Sequence, residues 1–283
     1  MNADNSIRYL VIGDPISHSR SPQMQNAAFE YYGMGRPYDR LRVDPANIGE
    51  FAAYARENLK GVNLTVPHKQ IIIPFVDELS PQAAACQSVN TLKISEGKLY
   101  GFSTDGAGIS GAVRENFGME LKGLNVLMLG AGGAANAAAF ELGLQQCASV
   151  TIANRSVEKA ESLAKKASNA YPATPVNAIS LADTTGLRNA IEKADLLLQL
   201  TSLGLHNEDP APIDLSLLEL NGKLKIFDAI YHPTPLLKRA AQLGLAAADG
   251  REMLIFQGAA SFEIWTGKKA PLDAMRKGFQ QNQ

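Results

Sequence analysis

Cysteine is scarce in this chain of 283 residues. Cys86 and Cys147 stand far apart and without metal-like spacing, which excludes a disulfide framework and gives no sign of a zinc site. Both read as small apolar residues, not as reactive thiols. An excess of either charge is also lacking, with 27 basic against 28 acidic residues and a formal net charge of -1. No electrostatic footprint for nucleic acid follows. No run reaches the ~18 apolar residues of a membrane span, and MNADNSIRYLVIGD has no basic region ahead of a long apolar core. The expectation is a soluble, unexported, cytoplasmic protein that binds no metal, no nucleic acid and no membrane. Internal repeats, low-complexity tracts and long linkers are absent too, and the length suggests about two domains.

What is present is alternation. Strand-like runs at 8–13, 37–43, 61–66, 90–94, 99–103, 124–130, 149–154, 195–200 and 223–228 are interleaved with helix-like runs at 22–33, 46–58, 106–117, 133–144, 157–167, 234–243 and 252–265. That pattern predicts an α/β protein with mostly parallel sheets. A boundary is expected within 104–123, where a helix ends in GMELKG ahead of a new apolar strand.

In GVNLTVPHKQ (61–70), Val62, Leu64 and Val66 alternate with Asn63 and Thr65, so the run reads as a strand that stops at Pro67. Lys69 then lies at a strand's carboxyl end, the edge where open α/β sheets bind ligands. A solvated surface lysine is the alternative reading. Asp105, in YGFSTDGAGISG, precedes a helix. It reads either as a helix cap or as the titratable partner of Lys69.

LNVLMLGAGGAANAAAFELG sets Gly130, Gly132 and Ala135 in G-x-G-x-x-A spacing between an apolar strand and an alanine-rich helix. The first glycine permits a tight turn, the second lets backbone approach a pyrophosphate, and the small third residue lets helix and strand pack closely. The pyrophosphate would sit on the helix's first amides. At the end of the next strand, where NAD-binding folds carry an acid, stands Asn154, followed by Arg155, Ser156 and, one turn on, Lys159. Those residues suit a 2′-phosphate, so NADP is expected. A dinucleotide enzyme needs a second domain to hold its substrate, and residues 1–104 are available for it.

The chain resembles the shikimate dehydrogenase family from residue 8 to about 267. The motifs occur in the family's order: GDPISHSRSP (13–22), NLTVPHK (63–69), VNTL (89–92), STDGAG (103–108), GAGGAA (130–135), NRS (154–156), TSLG (201–204), DAIY (228–231) and DGREMLIFQGAASFEIWTG (249–267). The resemblance implies an N-terminal α/β substrate domain completed by C-terminal helices, residues 1–104 plus 251–283, with an inserted Rossmann-type NADP-binding domain at 105–250. It implies NADP-dependent interconversion of shikimate and 3-dehydroshikimate, with Lys69 and Asp105 as the catalytic pair. Ser19, Ser21, Asn63, Thr65, Asn90, Tyr231 and Gln257 match the family's substrate positions. Gly130, Ala131, Gly132, Gly133, Ala134, Asn154, Arg155, Ser156, Lys159, Thr201, Ala229 and Gly250 match its cofactor positions. The partners implied are a small-molecule substrate and, at most, a second copy of the chain, as a monomer or homodimer.

Six positions depart from the family pattern: Gln25 for a histidine, Gln87 and Ser88 for small residues, Ser103 and Gln199 for asparagines, and Glu252 for a glycine. They leave open quinate or a modified shikimate as substrate, and NAD as cofactor. A metabolite-sensing module without turnover is the non-enzymatic alternative, opposed by the presence of both Lys69 and Asp105. His18 reads as a loop residue, and His68, His206 and His232 are given no role.

Overall fold

The computed structural model describes residues 7–206 and 208–281. The first six residues of the N-terminal stretch and the last two of the C-terminal segment therefore lie outside the described residues. The chain forms two compact units: residues up to Gly108 together with those from Leu254 onward, and the continuous stretch Ile109–Met253.

The first unit is built on strands β1 (Tyr9–Gly13), β2 (Tyr38–Arg42), β3 (Gly61–Leu64), β4 (Glu78–Leu79), β5 (Thr91–Ser95) and β6 (Lys98–Phe102). Their order is β2-β1-β3-β5-β6-β4. Pairing is parallel across β2-β1-β3 and between β6 and β4, and antiparallel across β3-β5-β6. β1 is buried along its whole length, and its alternate residues feed two cores. Leu10 and Ile12 join Phe51, Val62 and Leu92 under the helix Ile48–Asn58. Tyr9 and Val11 join Phe29, Phe262 and Trp265 on the opposite face. A sheet covered on both sides has no polar face to present, which is why β1 and β3 are apolar almost throughout.

The C-terminal segment belongs to this unit. Trp265, on the helix Arg251–Thr266, donates from Nε1 to the Leu92 carbonyl at 2.8 Å. Its ring covers Gly61 so closely that a side chain there would collide with it. The helix Leu272–Gln280 lies against Ser21–Tyr31, with Gly278 at the crossing, where an added Cβ would stand 2.6 Å from the Gln23 carbonyl oxygen.

The second unit carries β7 (Asn125–Leu129), β8 (Ser149–Asn154), β9 (Val176–Ser180), β10 (Leu196–Gln199), β11 (Lys225–Asp228) and β12 (Ala247–Ala248). All pairings are parallel, in the order β12-β11-β10-β7-β8-β9. The helix Gly133–Leu144 buries Ala135, Ala137, Ala138 and Ala139, small side chains that allow a close approach. With β7 first in sequence and flanked by β8 and β10, the topology is the doubly wound one with its switch point at β7.

Sequence periodicity locates nine strands and misses β4, β9 and β12. It also misses the helices His68–Ile71, Pro81–Cys86, Thr184–Lys193 and Leu272–Gln280. The missed strands are two-residue pieces or, for β9, a half-exposed edge without alternation. Thr184–Lys193 is legible in retrospect, since Asp183 caps it and Leu187 and Ile191 form its buried stripe. One boundary needs correcting. β3 ends at Leu64, two residues before Val66, which is 69% exposed and takes no part in the core alternation.

Both cysteines are buried, and burial pushes their thiols up, Cys147 to about 12 with Glu141 adding to the effect. No helix among the described residues is long and apolar enough to cross a membrane. No group of three or more potential metal ligands occurs among them either.

Candidate active site

Strand directions bring the polar residues of the first unit to one edge of its sheet. β1, β3 and β6 run the same way and β5 runs opposite. The segments after β1 (Ser19, Ser21), after β3 (Thr65, Lys69) and after β6 (Asp105), together with the residue before β5 (Asn90), therefore share that edge.

After β3 the chain turns through Val66 and Pro67 into the short helix His68–Ile71, which carries Lys69. The Lys69 carbonyl accepts from the Val89 amide at 2.8 Å, fixing this turn beside Asn90. Lys69 Nζ donates to Asp105 Oδ2 at 2.5 Å, with the two side chains 21% and 7% exposed. Asp105 opens the helix Asp105–Phe117, where the macrodipole favours a carboxylate. Its other oxygen, Oδ1, accepts from Asn90 Nδ2 at 2.9 Å. The same amide nitrogen lies 3.4 Å from Gln257 Oε1. Lys69, Asp105, Asn90 and Gln257 thus form one cluster.

The other expected substrate residues sit variously. Ser21 is buried at the start of the helix Ser21–Tyr31, and its backbone amide donates to Ser19 Oγ at 3.3 Å. Thr65 is half-buried, its amide bonded to the Ile12 carbonyl. Asn63 is buried with its amide engaged inside the fold, donating to Ser261 Oγ at 3.0 Å and accepting from the Tyr38 hydroxyl at 2.7 Å. Tyr231 lies in the second unit after β11 and is 47% exposed. His18 is exposed beside Ser17, and His68 is fully buried.

In the second unit the expected cofactor residues lie at the carboxyl ends of five parallel strands: Gly130–Ala134 after β7, Asn154–Lys159 from β8, Thr201 after β10, Ala229 after β11 and Gly250 after β12. Gly130 has φ +110, and a Cβ there would stand 3.1 Å from the Leu200 backbone, so only glycine fits this turn. Gly132 and Gly133 are different, because a Cβ on either would meet nothing within 4 Å. That open space lies over the first amides of the helix Gly133–Leu144, whose first turn holds no acid, so a pyrophosphate fits. At β8, Asn154 Nδ2 braces the turn by donating to the Ser156 carbonyl at 2.8 Å. Arg155 and Lys159 are exposed. Ser156 occupies the cap position of the helix Val157–Ala170, but its hydroxyl donates to Glu158 Oε2 at 2.8 Å instead of capping.

Three supporting residues escape a reading of the sequence. Gln199 braces the loop that carries Thr201, accepting from the Thr201 amide and donating to the Leu203 carbonyl. Asp228 is buried, which pushes its carboxyl up; it accepts from the Ile230 amide and the Thr234 hydroxyl, shaping the Ala229–Tyr231 turn. Thr104 donates its amide to Asn90 Oδ1. In the sequence Gln199 stands out only as a departure, and the other two are visible only as members of DAIY and STDGAG. Of the remaining departures, Gln25 is buried and donates to the Gly258 carbonyl, while Gln87 takes a left-handed conformation (φ 49) that ends the helix Pro81–Cys86. Ser103 is half-buried after β6, and Glu252 lies in the first turn of Arg251–Thr266.

Comparison with known proteins matches three family models along the chain: the shikimate dehydrogenase substrate binding domain at residues 11–92, shikimate / quinate 5-dehydrogenase at 112–204, and the shikimate 5'-dehydrogenase C-terminal domain at 250–277. Shikimate dehydrogenase (NADP(+)) of Methanopyrus kandleri is 37% identical over 271 residues, 94% of this chain and 92% of that one. Among solved structures, shikimate 5-dehydrogenase from Listeria monocytogenes in complex with shikimate and NAD superposes with a TM-score of 0.90 at 30% identity, covering 97% of this chain and 96% of that one. The Thermus thermophilus enzyme in complex with NADP(H) and shikimate superposes with a TM-score of 0.85 at 32% identity, covering 97% and 98%.

Proposed function

The chain belongs to the shikimate dehydrogenase family, and on that premise we propose that it interconverts shikimate and 3-dehydroshikimate with NADP. The observation that carries the chemistry is the 2.5 Å contact between Lys69 Nζ and Asp105 Oδ2 at the carboxyl edge of β3 and β6. Oxidation of a secondary alcohol removes a hydride from carbon and a proton from oxygen. NADP supplies the acceptor for the hydride. The proton needs a side-chain acceptor within hydrogen-bond reach, and Lys69 with Asp105 provide one. Asn90 holds Asp105 Oδ1 and so leaves Oδ2 to the lysine.

The unit containing β1–β6 serves the substrate in this reading. Ser19 and Ser21 offer hydroxyl donors for a carboxylate, and Thr65 and Gln257 offer polar groups for ring hydroxyls. The unit containing β7–β12 serves the cofactor. The amides around Gly132 and Gly133 would hold the pyrophosphate, Arg155, Ser156 and Lys159 would hold the 2′-phosphate, and Thr201, Ala229 and Gly250 would complete the cofactor's contacts. Asn63, which donates to the Asn90 carbonyl, joins Asn90 among the residues expected to serve the substrate. The enzyme is read as cytoplasmic, and as a monomer or homodimer, which light scattering on the purified protein distinguishes.

The test is a spectrophotometric survey of shikimate and quinate against NADP and NAD. Shikimate with NADP is expected to give the highest kcat/KM. A preference for quinate would overturn the substrate assignment, and a preference for NAD the cofactor assignment.

A further inference from the structure

Beneath the Lys69–Asp105 pair lies a set of buried polar side chains, several of whose proton directions follow from neighbours that can only donate or only accept. Asn90 Oδ1 faces the Thr104 amide at 2.8 Å. A backbone N–H only donates, so Asn90 must turn its Nδ2 toward Asp105 Oδ1. Asn63 Nδ2 faces the Asn90 backbone carbonyl at 3.2 Å. A carbonyl only accepts, so Asn63 Oδ1 is left to accept from the Tyr38 hydroxyl. Ser261 Oγ gives its single proton to the Gln257 carbonyl at 3.0 Å, one turn back on the same helix. Its lone pairs then accept from Asn63 Nδ2 at 3.0 Å and from Thr91 Oγ1 at 2.7 Å.

Ser261 is thus the common acceptor for the two residues that flank the Asn90 peptide. Thr91 has two other acceptors within reach, the Thr104 hydroxyl at 3.4 Å and, nearer, Asn90 Oδ1 at 3.1 Å, the atom already bonded to the Thr104 amide. While Ser261 takes the Thr91 proton, Asn90 Oδ1 serves Thr104 alone, accepting from its amide at 2.8 Å and from its hydroxyl at 3.2 Å. Without the Ser261 oxygen, the Thr91 hydroxyl turns to Asn90 Oδ1, competes there, and loosens the amide that braces Asp105. Ser261 is fully buried and touches neither Lys69 nor Asp105.

We propose that Ser261 is a positioning residue for the reaction: a hydroxyl brought in by the C-terminal helix that sets Asn90, and through it Asp105, in the orientation Lys69 requires. The proposal rests on the reading of Lys69 and Asp105 as the proton-handling pair. It differs from the view that the buried cluster only satisfies its own polar groups. Under that view, removing the Ser261 oxygen lowers stability and leaves the kinetics of the folded enzyme alone.

The experiment compares wild type, Ser261→Ala and Ser261→Thr in kcat, in the KM for NADP and in the pH profile of kcat. The Ala variant is expected to lose about 3- to 10-fold in kcat, the equivalent of roughly one net hydrogen bond. Its KM for NADP stays at the wild-type value, and the acid limb of its profile moves to higher pH. The Thr variant, which keeps the hydroxyl, restores both. A folded Ser261→Ala enzyme with wild-type kcat and pH profile overturns the proposal, whatever its melting temperature. If Ser261→Ala does not fold, Tyr38→Phe removes the donor to Asn63 Oδ1 and is expected to move the profile in the same direction. An unmoved profile there is equally decisive against it. Wild-type enzyme inactive on shikimate with NADP would overturn the functional reading, and this inference with it; an active wild type with unaltered variants overturns the inference alone.

Discussion

Removal of Lys69 probes the chemistry most directly. In the folded enzyme its Nζ stands 2.5 Å from Asp105 Oδ2, and the carboxylate keeps one further side-chain donor, Asn90 Nδ2 at 2.9 Å. Lys69→Ala therefore leaves a buried carboxylate half-braced, at a stability cost of about 1 to 3 kcal/mol for the lost charged hydrogen bond. The kinetic cost is larger. A group that moves a proton in the transition state contributes about 10² to 10⁴ in rate, or about 2.7 to 5.4 kcal/mol of barrier. Asp105→Asn is expected to fall in the same range, because an amide that accepts from Asn90 through its oxygen presents its NH₂ to the Lys69 ammonium, donor against donor. The double variant should cost far less than the product of the single losses, as for residues that act as a unit. The KM for NADP should stay near wild type, since the residues expected to hold the cofactor lie at the carboxyl ends of β7, β8, β10, β11 and β12. Steady-state kinetics and a melting curve on each variant are the assay. A Lys69→Ala protein that melts cooperatively and keeps a near wild-type kcat would refute the reasoning.

Three other outcomes follow from the geometry. Arg155→Leu combined with Asn154→Asp should shift kcat/KM from NADP toward NAD by about 10-fold or more, because a charge-assisted contact to the 2′-phosphate is worth about 1.5 to 3 kcal/mol; an unchanged cofactor ratio would sink the assignment of Arg155. Gly132→Ala, whose Cβ meets nothing within 4 Å, should leave the melting temperature unchanged and raise the dissociation constant of NADP by titration calorimetry. Gly130→Ala, at φ +110 and 3.1 Å from the Leu200 backbone, should lose about 1 kcal/mol or more of stability as well, and equal melting of the two variants would contradict the difference drawn between them. His68 is buried, and burial holds its imidazole below the ordinary value of 6.5, against weaker upward pulls from the Val43 backbone, Asp14 and Asp44. The fold then binds fewer protons than the unfolded chain, so stability is lost as pH falls from about 6.5 toward the lower folded value. Melting curves of wild type and His68→Phe should diverge in that window, and parallel curves would argue against a buried neutral histidine.

The parts of this protein that its sequence determines by itself are those whose physics is local. Gly130 and Gly132 reveal the β7 turn because a tight turn and an open cradle need glycine at a fixed spacing. The alanines of Gly133–Leu144 reveal close packing on a sheet, and the apolar runs of β7 and β10 reveal strands buried on both faces. Lys69 and Asp105 can each be singled out from a motif, but their contact cannot be measured there, because they are 36 residues apart in sequence. The antiparallel β3-β5-β6 pairing brings them to one edge, and short-range alternation does not encode strand direction. Asn63 shows the same limit. Alternation sets it on the same face as Thr65, but cannot show that the C-terminal helix, 198 residues later, supplies Ser261 to accept from its amide. Val66, which alternation places in the core, is exposed, because the strand ends where its hydrogen-bond partners end, not where the apolar pattern does. Tertiary structure decided these matters because burial, strand direction and the satisfaction of polar groups depend on segments that meet only once the chain has folded.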